Sequence, residues 1–447
     1  METFANLEPE ELVGWAFPCE CGKTHRTALR ALQIAPGALA SLPAMLKTVN
    51  ANRPFVLWDE NTREAVGESA RNALRIYPSF CYPAEPRPLP NERCLGQAVA
   101  AFDPACNLIL AVGSGVLNDL AKMLGRVSGR PTGVVATAPS MDGYASNSAA
   151  MELSGVKTSV YTPAPVLVLG DVEVLKNAPE AMLRSGLGDM LAKETALCEW
   201  RVAALATGEA YCENVAALMR SALDRTVSSA DGLLKRDGRA VQNVTEGLVV
   251  SGIAMGYSDT SRPASGTEHT LSHLWEMLAL ARGGRPAPHG LQVGLATRYM
   301  LRLYRDVAAL APTPARSREA YAAFRQEQWE AELRQVFGAQ AEPMIAAVLR
   351  EGRNQPEPQS ARAARALANW PAIRREIEAS AARADQLIAL MDAAGLPRHP
   401  GELNLSEADA KLAFHHSRDL RSRYLLTSLL WDLGELEPME ERYANLL

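Results

Sequence analysis

Through the first third of the chain, short uninterrupted apolar runs alternate with polar segments of helical pattern, the signature of a parallel sheet covered by helices. The run Pro54-Phe-Val-Leu-Trp-Asp59 predicts a strand, and the polar stretch that follows, up to Leu74, predicts a turn and a helix. The same reading gives a helix over 92–101, a buried strand at Asn107-Leu-Ile-Leu-Ala-Val-Gly113 and a helix over 119–124. Further strands are expected at Gly133-Val-Val-Ala-Thr137 and Ala164-Pro-Val-Leu-Val-Leu-Gly170. Beyond about Pro179 the chain is rich in Ala, Leu, Arg and Glu at helical spacing and offers no convincing strand. The expected fold is therefore an α/β, Rossmann-like N-terminal domain with a parallel sheet over 1–178, followed by an all-helical domain over 179–447. Within the latter, Gln355-Pro-Glu-Pro-Gln-Ser360 reads as a turn between helices in an Ala/Arg/Glu-rich stretch. No internal repeat or low-complexity tract interrupts the pattern.

Composition narrows the class of function. With 46 basic and 51 acidic side chains among 447 residues, the net charge is −5, which argues against a surface that coats nucleic acid. The first segment, METFANLEPEELVGWAF, is acidic and lacks the basic start and apolar stretch of a secretory signal, and no apolar run approaches the ~20 residues of a membrane span. A cytoplasmic location without a membrane span is expected. Seven scattered cysteines read as reduced thiols and not as a disulfide framework.

Two strand exits carry candidate chemistry. Gly113, Ser114 and Gly115 stand where a buried strand turns into a helix, so backbone amides there can approach a pyrophosphate at the positive end of the helix. The full G-x-G-x-x-G fingerprint would need a third glycine at position 118, which is Asn, and a tight turn in any doubly wound sheet offers the same pattern. The next exit, Thr137-Ala-Pro-Ser-Met-Asp-Gly-Tyr-Ala-Ser146, places small hydroxyl residues beside it at the carboxyl edge of the sheet. Asp59, at the end of another apolar run, suits either a ribose hydroxyl or an ordinary turn.

Histidine is scarce, seven in all, yet His269, His273 and His289 fall within 21 residues. His269 and His273, four apart, share one face of a helix, and His289 can reach back across a loop. Asp189, in Ser185-Gly-Leu-Gly-Asp189, adds a carboxylate at an expected helix start, where an N-cap is the plainer role. One carboxylate with two imidazoles is a common open site for Zn²⁺ or a similar ion. A second cluster, Cys19-Glu-Cys21-Gly-Lys-Thr-His25, supplies three ligands at cramped spacing and reads equally as a β-turn.

In combination, the motifs GSGVLND, TAPSMDGYAS, GLGD, GTEHTLSH and HG, in that order, resemble those of the sn-glycerol-1-phosphate dehydrogenases, of the iron-containing alcohol dehydrogenase and dehydroquinate synthase-like superfamily. The resemblance covers residues 53–297 and the closing 420–434, and the Cys-x-Cys-Gly-Lys-x-His start is similar to the bacterial branch. It implies that Gly113, Ser114, Gly115, Val116 and Leu117, together with Thr137, Ala138, Pro139 and Ser140, hold NAD(P)H, with Asp59 near the adenosine and Ser146 also touching cofactor. It implies Asp189, His269 and His289 as ligands of one divalent ion, Zn²⁺ or Ni²⁺, with Asp142, Asp189 and His273 at the substrate and Asp189 and His273 catalytic. The implied reaction is reversible reduction of a phosphorylated three-carbon ketone, dihydroxyacetone phosphate, to sn-glycerol-1-phosphate, in phospholipid metabolism.

The family's members often form dimers or larger assemblies, so a homo-oligomer is in keeping with the resemblance. Lys193 and Arg262 are candidate cations for the substrate phosphate, although such side chains are usually solvated. The sequence departs from the family in extra helical sequence between about 305 and 383 and in an insert-like stretch at 281–286. A glycerol or polyol dehydrogenase on the same scaffold, lacking a phosphate clamp, is the enzymatic alternative. A catalytically silent nucleotide or metal sensor is the alternative of another class. Dehydroquinate synthase fits less well, since few Lys or Arg flank the motifs.

Overall fold

The apolar runs found in the sequence become the centre of a six-stranded, all-parallel sheet. The computed structural model describes residues 4–14, 16–153 and 156–447. Its strands, in chain order, are β1 (Ala16–Pro18), β2 (Thr24–Arg26), β3 (Ala31–Ala35), β4 (Pro54–Asp59), β5 (Ser79–Tyr82), β6 (Leu108–Gly113), β7 (Thr132–Ala136), β8 (Ser148–Leu153), β9 (Val156–Tyr161) and β10 (Leu167–Asp171). The main sheet has the order β3-β10-β7-β6-β4-β5, while β1-β2 and β8-β9 are separate antiparallel hairpins. Every residue of β6, β7 and β10 is buried, which is why these strands read as continuous apolar runs. The edge strands β3 and β5 and both hairpins are not foreseen by the apolar pattern; β2, β5 and β8 are only partly buried and carry no such run.

The chain divides into two compact units, Met1–Met190 with Cys212–Ala264, and Leu191–Tyr211 with Ser265–Leu447. The first contains the sheet. On one of its faces Val56, Trp58, Leu110, Val112 and Leu169 pack with Leu42, Leu46, Ala70 and Leu74 of flanking helices. Helices Glu213–Ser229 and Gly238–Ser258, which lie beyond the 178/179 boundary expected from sequence, fold with this unit. The second unit is built of helices around Trp275, Tyr299, Tyr304, Phe414 and Tyr443. No strand occurs after Asp171 among the described residues, as the helical spacing predicts. No helix among them is long and apolar enough to cross a membrane.

Local departures from expectation have simple causes. The helix expected after Asp59 is two, Glu60–Ala65 and Gly67–Leu74, because Gly67 takes φ +77° between them. The turn expected at 355–360 is a helix start instead: Gln355 precedes helix Pro356–Ala368, whose proline occupies the first position, where a missing N–H costs nothing.

Candidate active site

The sheet order places the glycine loop at a reversal. From β4 the chain adds β5 on one side and β6 on the other, so the carboxyl ends of β4 and β6 flank the switch point at which open α/β sheets bind ligands. Asp59 ends β4, and Gly113 ends β6. Ser114 precedes helix Gly115–Ser128, whose first amides are unpartnered within the helix and point outward at the sheet edge. Asp59 also has the plainer role: its Oδ1 caps the next helix by accepting from Thr62 N at 2.8 Å.

The residue that breaks the glycine fingerprint is a structural anchor. Asn118 Nδ2 donates to the Gly143 carbonyl at 3.0 Å, and Lys122, one turn further, donates to the same carbonyl at 3.0 Å and to Ser146 Oγ at 3.1 Å. Both side chains are buried. The helix that presents amides at the loop thereby holds the neighbouring exit, residues 137–146, in place. Ser146 is buried, and its hydroxyl also donates to the Gly143 carbonyl at 3.1 Å. Tyr144 is buried too and donates to the Ala138 carbonyl.

Asp189 does not start a helix; it lies in the last turn of helix Glu180–Leu191. The glycines before it serve close packing and not a break. A Cβ at Gly186 would stand 1.9 Å from the Pro139 carbonyl oxygen, so only glycine lets this helix lie against the 137–140 segment. Ser185 Oγ donates to the Ser140 carbonyl at 2.9 Å from the same face. The buried Asp189 accepts the Asp142 N–H at 3.0 Å, and Asp142 in turn accepts from Ser251 Oγ at 2.9 Å. Two of the predicted substrate carboxylates are thus brought together and oriented within the first unit.

In the second unit the three histidines converge. His269 and His273 lie on helix Thr267–Ala281, and His289 begins helix His289–Ala308. The His289 ring centroid is 5.4 Å from that of His269 and 5.5 Å from that of His273. Each imidazole has a polar partner at Nδ1. That of His269 donates to Glu268 Oε1 at 2.9 Å, that of His273 faces Glu276 Oε2 at 3.3 Å, and that of His289 faces Glu276 Oε1 at 3.5 Å. The carboxylates at Nδ1 of His269 and His273 leave Nε2 as the lone-pair nitrogen, the tautomer that metal-binding histidines require, while Nδ1 of His289 also has the Ser272 hydroxyl at 3.4 Å. The donor chemistry therefore fits a divalent ion.

Behind His269 stands a chain of buried acids. Burial works against the Glu268 charge, but the hydrogen bond and charge of His269 outweigh it and hold this carboxyl below its ordinary range. Glu199 is pushed the other way, up to about 7, by burial and by the neighbouring charge of Glu268. Glu199 accepts from Thr267 N at 3.0 Å, Thr267 Oγ1 at 2.8 Å and Leu426 N at 3.1 Å. Burial, reinforced by the charge of Arg421, drives His273 well below the usual imidazole range and keeps it neutral.

Sequence reasoning missed Glu276 and Glu268. Glu276 lies three residues after His273, one helical turn away, and that spacing was the available signal. It missed Asn118 and Lys122 as anchors because their partner carbonyl lies over 20 residues away. Lys193 and Arg262, candidate cations of a usually solvated kind, are both buried, each in its own unit.

Residues 33–179 match the family model for iron-containing alcohol dehydrogenases. An iron-containing alcohol dehydrogenase from Corynebacterium glutamicum has a similar fold, with a TM-score of 0.58 at 15% identity over 95% of this chain and 98% of that one. By sequence, the chain is 35% identical over 300 residues to glycerol-1-phosphate dehydrogenase [NAD(P)+] of Halalkalibacterium halodurans, covering 66% of this chain and 75% of that one. To the enzyme of that name from Bacillus licheniformis it is 34% identical, over 65% and 74%. The chain belongs to the glycerol-1-phosphate dehydrogenase family.

Proposed function

We propose that this chain reduces dihydroxyacetone phosphate to sn-glycerol-1-phosphate, reversibly, with NAD(P)H and one divalent ion. The observation that carries the reading is the pair His269 and His289, 5.4 Å apart, each with Nδ1 turned toward a glutamate and Nε2 left for an ion. Asp189 would be the third ligand, and zinc or nickel suits such a nitrogen and oxygen set. Gly113 to Leu117 and Thr137 to Ser140 would hold the cofactor, the unpartnered amides that begin helix Gly115–Ser128 suiting its pyrophosphate. When bound, such an ion would supply Lewis acidity toward a ketone oxygen, and the reduced nicotinamide would supply the hydride.

The protein's own residues do the rest. Asp142, oriented by Ser251, accepts a hydrogen bond from a substrate hydroxyl. His273, neutral and with Nδ1 facing Glu276, presents Nε2 to the substrate oxygen: it accepts the hydroxyl proton when the alcohol is oxidised, and in reduction it hands on a proton taken up from solvent water. Arg421, whose charge reaches His273, is the cation for the substrate phosphate. A cytoplasmic enzyme acting on a soluble ester accords with the lack of a membrane-spanning helix among the described residues.

The test is NAD(P)H oxidation with dihydroxyacetone phosphate and with dihydroxyacetone, after chelation and after restoring Zn²⁺ or Ni²⁺. Metal-dependent turnover of the phosphate ester to the sn-1 product is expected, and Asp189→Asn should abolish it while cofactor still binds. Preference for the unphosphorylated ketone would make the protein a polyol dehydrogenase, and cofactor binding without turnover under any metal would make it a sensor.

A further inference from the structure

A second cluster of metal-ligating side chains lies in the first unit, apart from the residues assigned above. Cys19 and Cys21 come from the turn between β1 and β2, His25 from β2, and Cys212 stands just before helix Glu213–Ser229, 187 residues beyond His25. One ligand atom from each lies within 4.8 Å of all the others. The sulfurs of Cys19 and Cys212 are 3.6 Å apart, and His25 Nε2 is 3.3 Å from Cys21 Sγ and 3.4 Å from Cys212 Sγ.

Those separations have a particular meaning. Four ligands set tetrahedrally about zinc, with Zn–S near 2.3 Å and Zn–N near 2.0 Å, are separated by about 3.8 Å between sulfurs and about 3.6 Å between sulfur and nitrogen. The observed edges are within a few tenths of an ångström of these values. An ordinary packed group of thiols has no reason to aim an imidazole nitrogen at two sulfurs at once.

The surroundings orient the donors as a metal site would. His25 Nδ1 donates to the Tyr257 carbonyl at 2.8 Å, which leaves Nε2 without a proton and facing the sulfurs. Asn214 Nδ2 lies 3.3 Å from Cys19 Sγ, a donor suited to a thiolate. The turn itself is fixed at both sides. Gly22, at φ +85°, donates its N–H to the Cys19 carbonyl at 2.9 Å, and Lys23 anchors the far side on the Ser258 carbonyl at 3.0 Å. His25 and Cys212 are buried, while Cys21 is exposed.

We propose that Cys19, Cys21, His25 and Cys212 bind a structural zinc ion that fastens the N-terminal hairpin to the start of helix Glu213–Ser229. Three sulfurs and one nitrogen close the coordination shell, so the site has no position for substrate. On binding, each of the three thiols releases its proton to solvent and donates a sulfur lone pair; no electron is transferred.

The experiment uses the full chain purified under reducing conditions. Zinc-edge X-ray absorption should show sulfur scatterers at about 2.3 Å, which a site of Asp and His cannot supply. After exchange with Co²⁺, a thiolate-to-cobalt charge-transfer band should appear in the wild type and persist in Asp189→Asn, which separates this site from the catalytic one. Cys21→Ser should lose that band, lose one zinc per chain and melt at a lower temperature. If this variant does not fold, the wild-type and Asp189→Asn spectra still decide. No sulfur-bound metal in the wild type, or a Cys19–Cys212 disulfide in the reduced preparation, overturns the proposal.

Discussion

Asn118 and Gly143 are joined by a hydrogen bond of 3.0 Å from the side-chain amide to the main-chain carbonyl. It links the helix behind the glycine loop to the adjacent strand exit. Because Lys122 donates to the same oxygen, Asn118→Ala leaves the carbonyl partnered and should cost only about 1 kcal/mol of stability. The 137–146 segment should nevertheless shift, raising the dissociation constant for NAD(P)H roughly tenfold, equivalent to about 1.4 kcal/mol. Thermal unfolding and a fluorescence titration with NADPH measure the two effects.

Gly186→Ala places a methyl group against the Pro139 carbonyl. With backbone on both sides, neither partner can yield cheaply, and a loss of about 2 kcal/mol or more is expected. The displaced helix carries Asp189, so metal affinity should fall together with stability. Denaturant unfolding and metal titration of the same preparation would show both; a variant as stable as the wild type would refute the close-packing account.

Glu268→Gln removes the carboxylate behind His269 while keeping a side chain of the same shape. Outer-shell partners of this kind are worth about 10–100-fold in metal affinity. Equilibrium dialysis against Zn²⁺ should show a loss of that order, with the cofactor dissociation constant unchanged.

Arg421→Ala should raise KM for dihydroxyacetone phosphate and leave any turnover of unphosphorylated dihydroxyacetone unaffected. The two substrates assayed side by side isolate the phosphate contact. Equal losses on both would remove Arg421 from that role.

Glu246 gives a pH prediction. Burial, with the charges of Glu10 and Glu8 adding to it, pushes its carboxyl up to about 7, against the opposing pull of Gln242 and Arg225. Between about pH 4.5 and 7 the folded chain keeps a proton that the unfolded chain has lost, so stability falls as pH rises through this window and the loss is complete above it. Glu246→Gln removes the loss. It should be more stable than wild type at pH 8, by a margin on the order of 3 kcal/mol, and show little advantage at pH 4.5. Paired unfolding curves across that range measure the margin.

The parts of the fold legible in the sequence are those where burial is two-sided. Strands β4, β6, β7 and β10 are nearly continuous apolar runs rich in β-branched and large aliphatic residues. β5 is a short strand with one exposed end, and β8 alternates buried and half-buried positions, so neither competes with turn-like composition. In the site, His269 and His273 can be paired from helical spacing alone. The position of Asp189 within its helix is hidden because Gly186 resembles a helix boundary, when its absent side chain answers a tertiary approach to Pro139. The Cys19 cluster looks one ligand short in sequence because Cys212 arrives from 193 residues away, a distance that no local pattern reports.

The long reach of one hydrogen bond also bears on how the chain is made. Glu199 accepts the backbone N–H of Leu426, 227 residues later. On a ribosome, the residues of the sheet unit have all been synthesised by Ala264, and that unit can close while the rest is still being translated. Helix Lys193–Thr207, by contrast, has left the exit tunnel long before its partners exist: Glu199 meets its donors on Thr267 only after 68 further residues and the one on Leu426 much later still. A chain cut shortly before Leu426 would thus hold every residue of the sheet unit while Glu199, in the other unit, lacked one of its backbone donors.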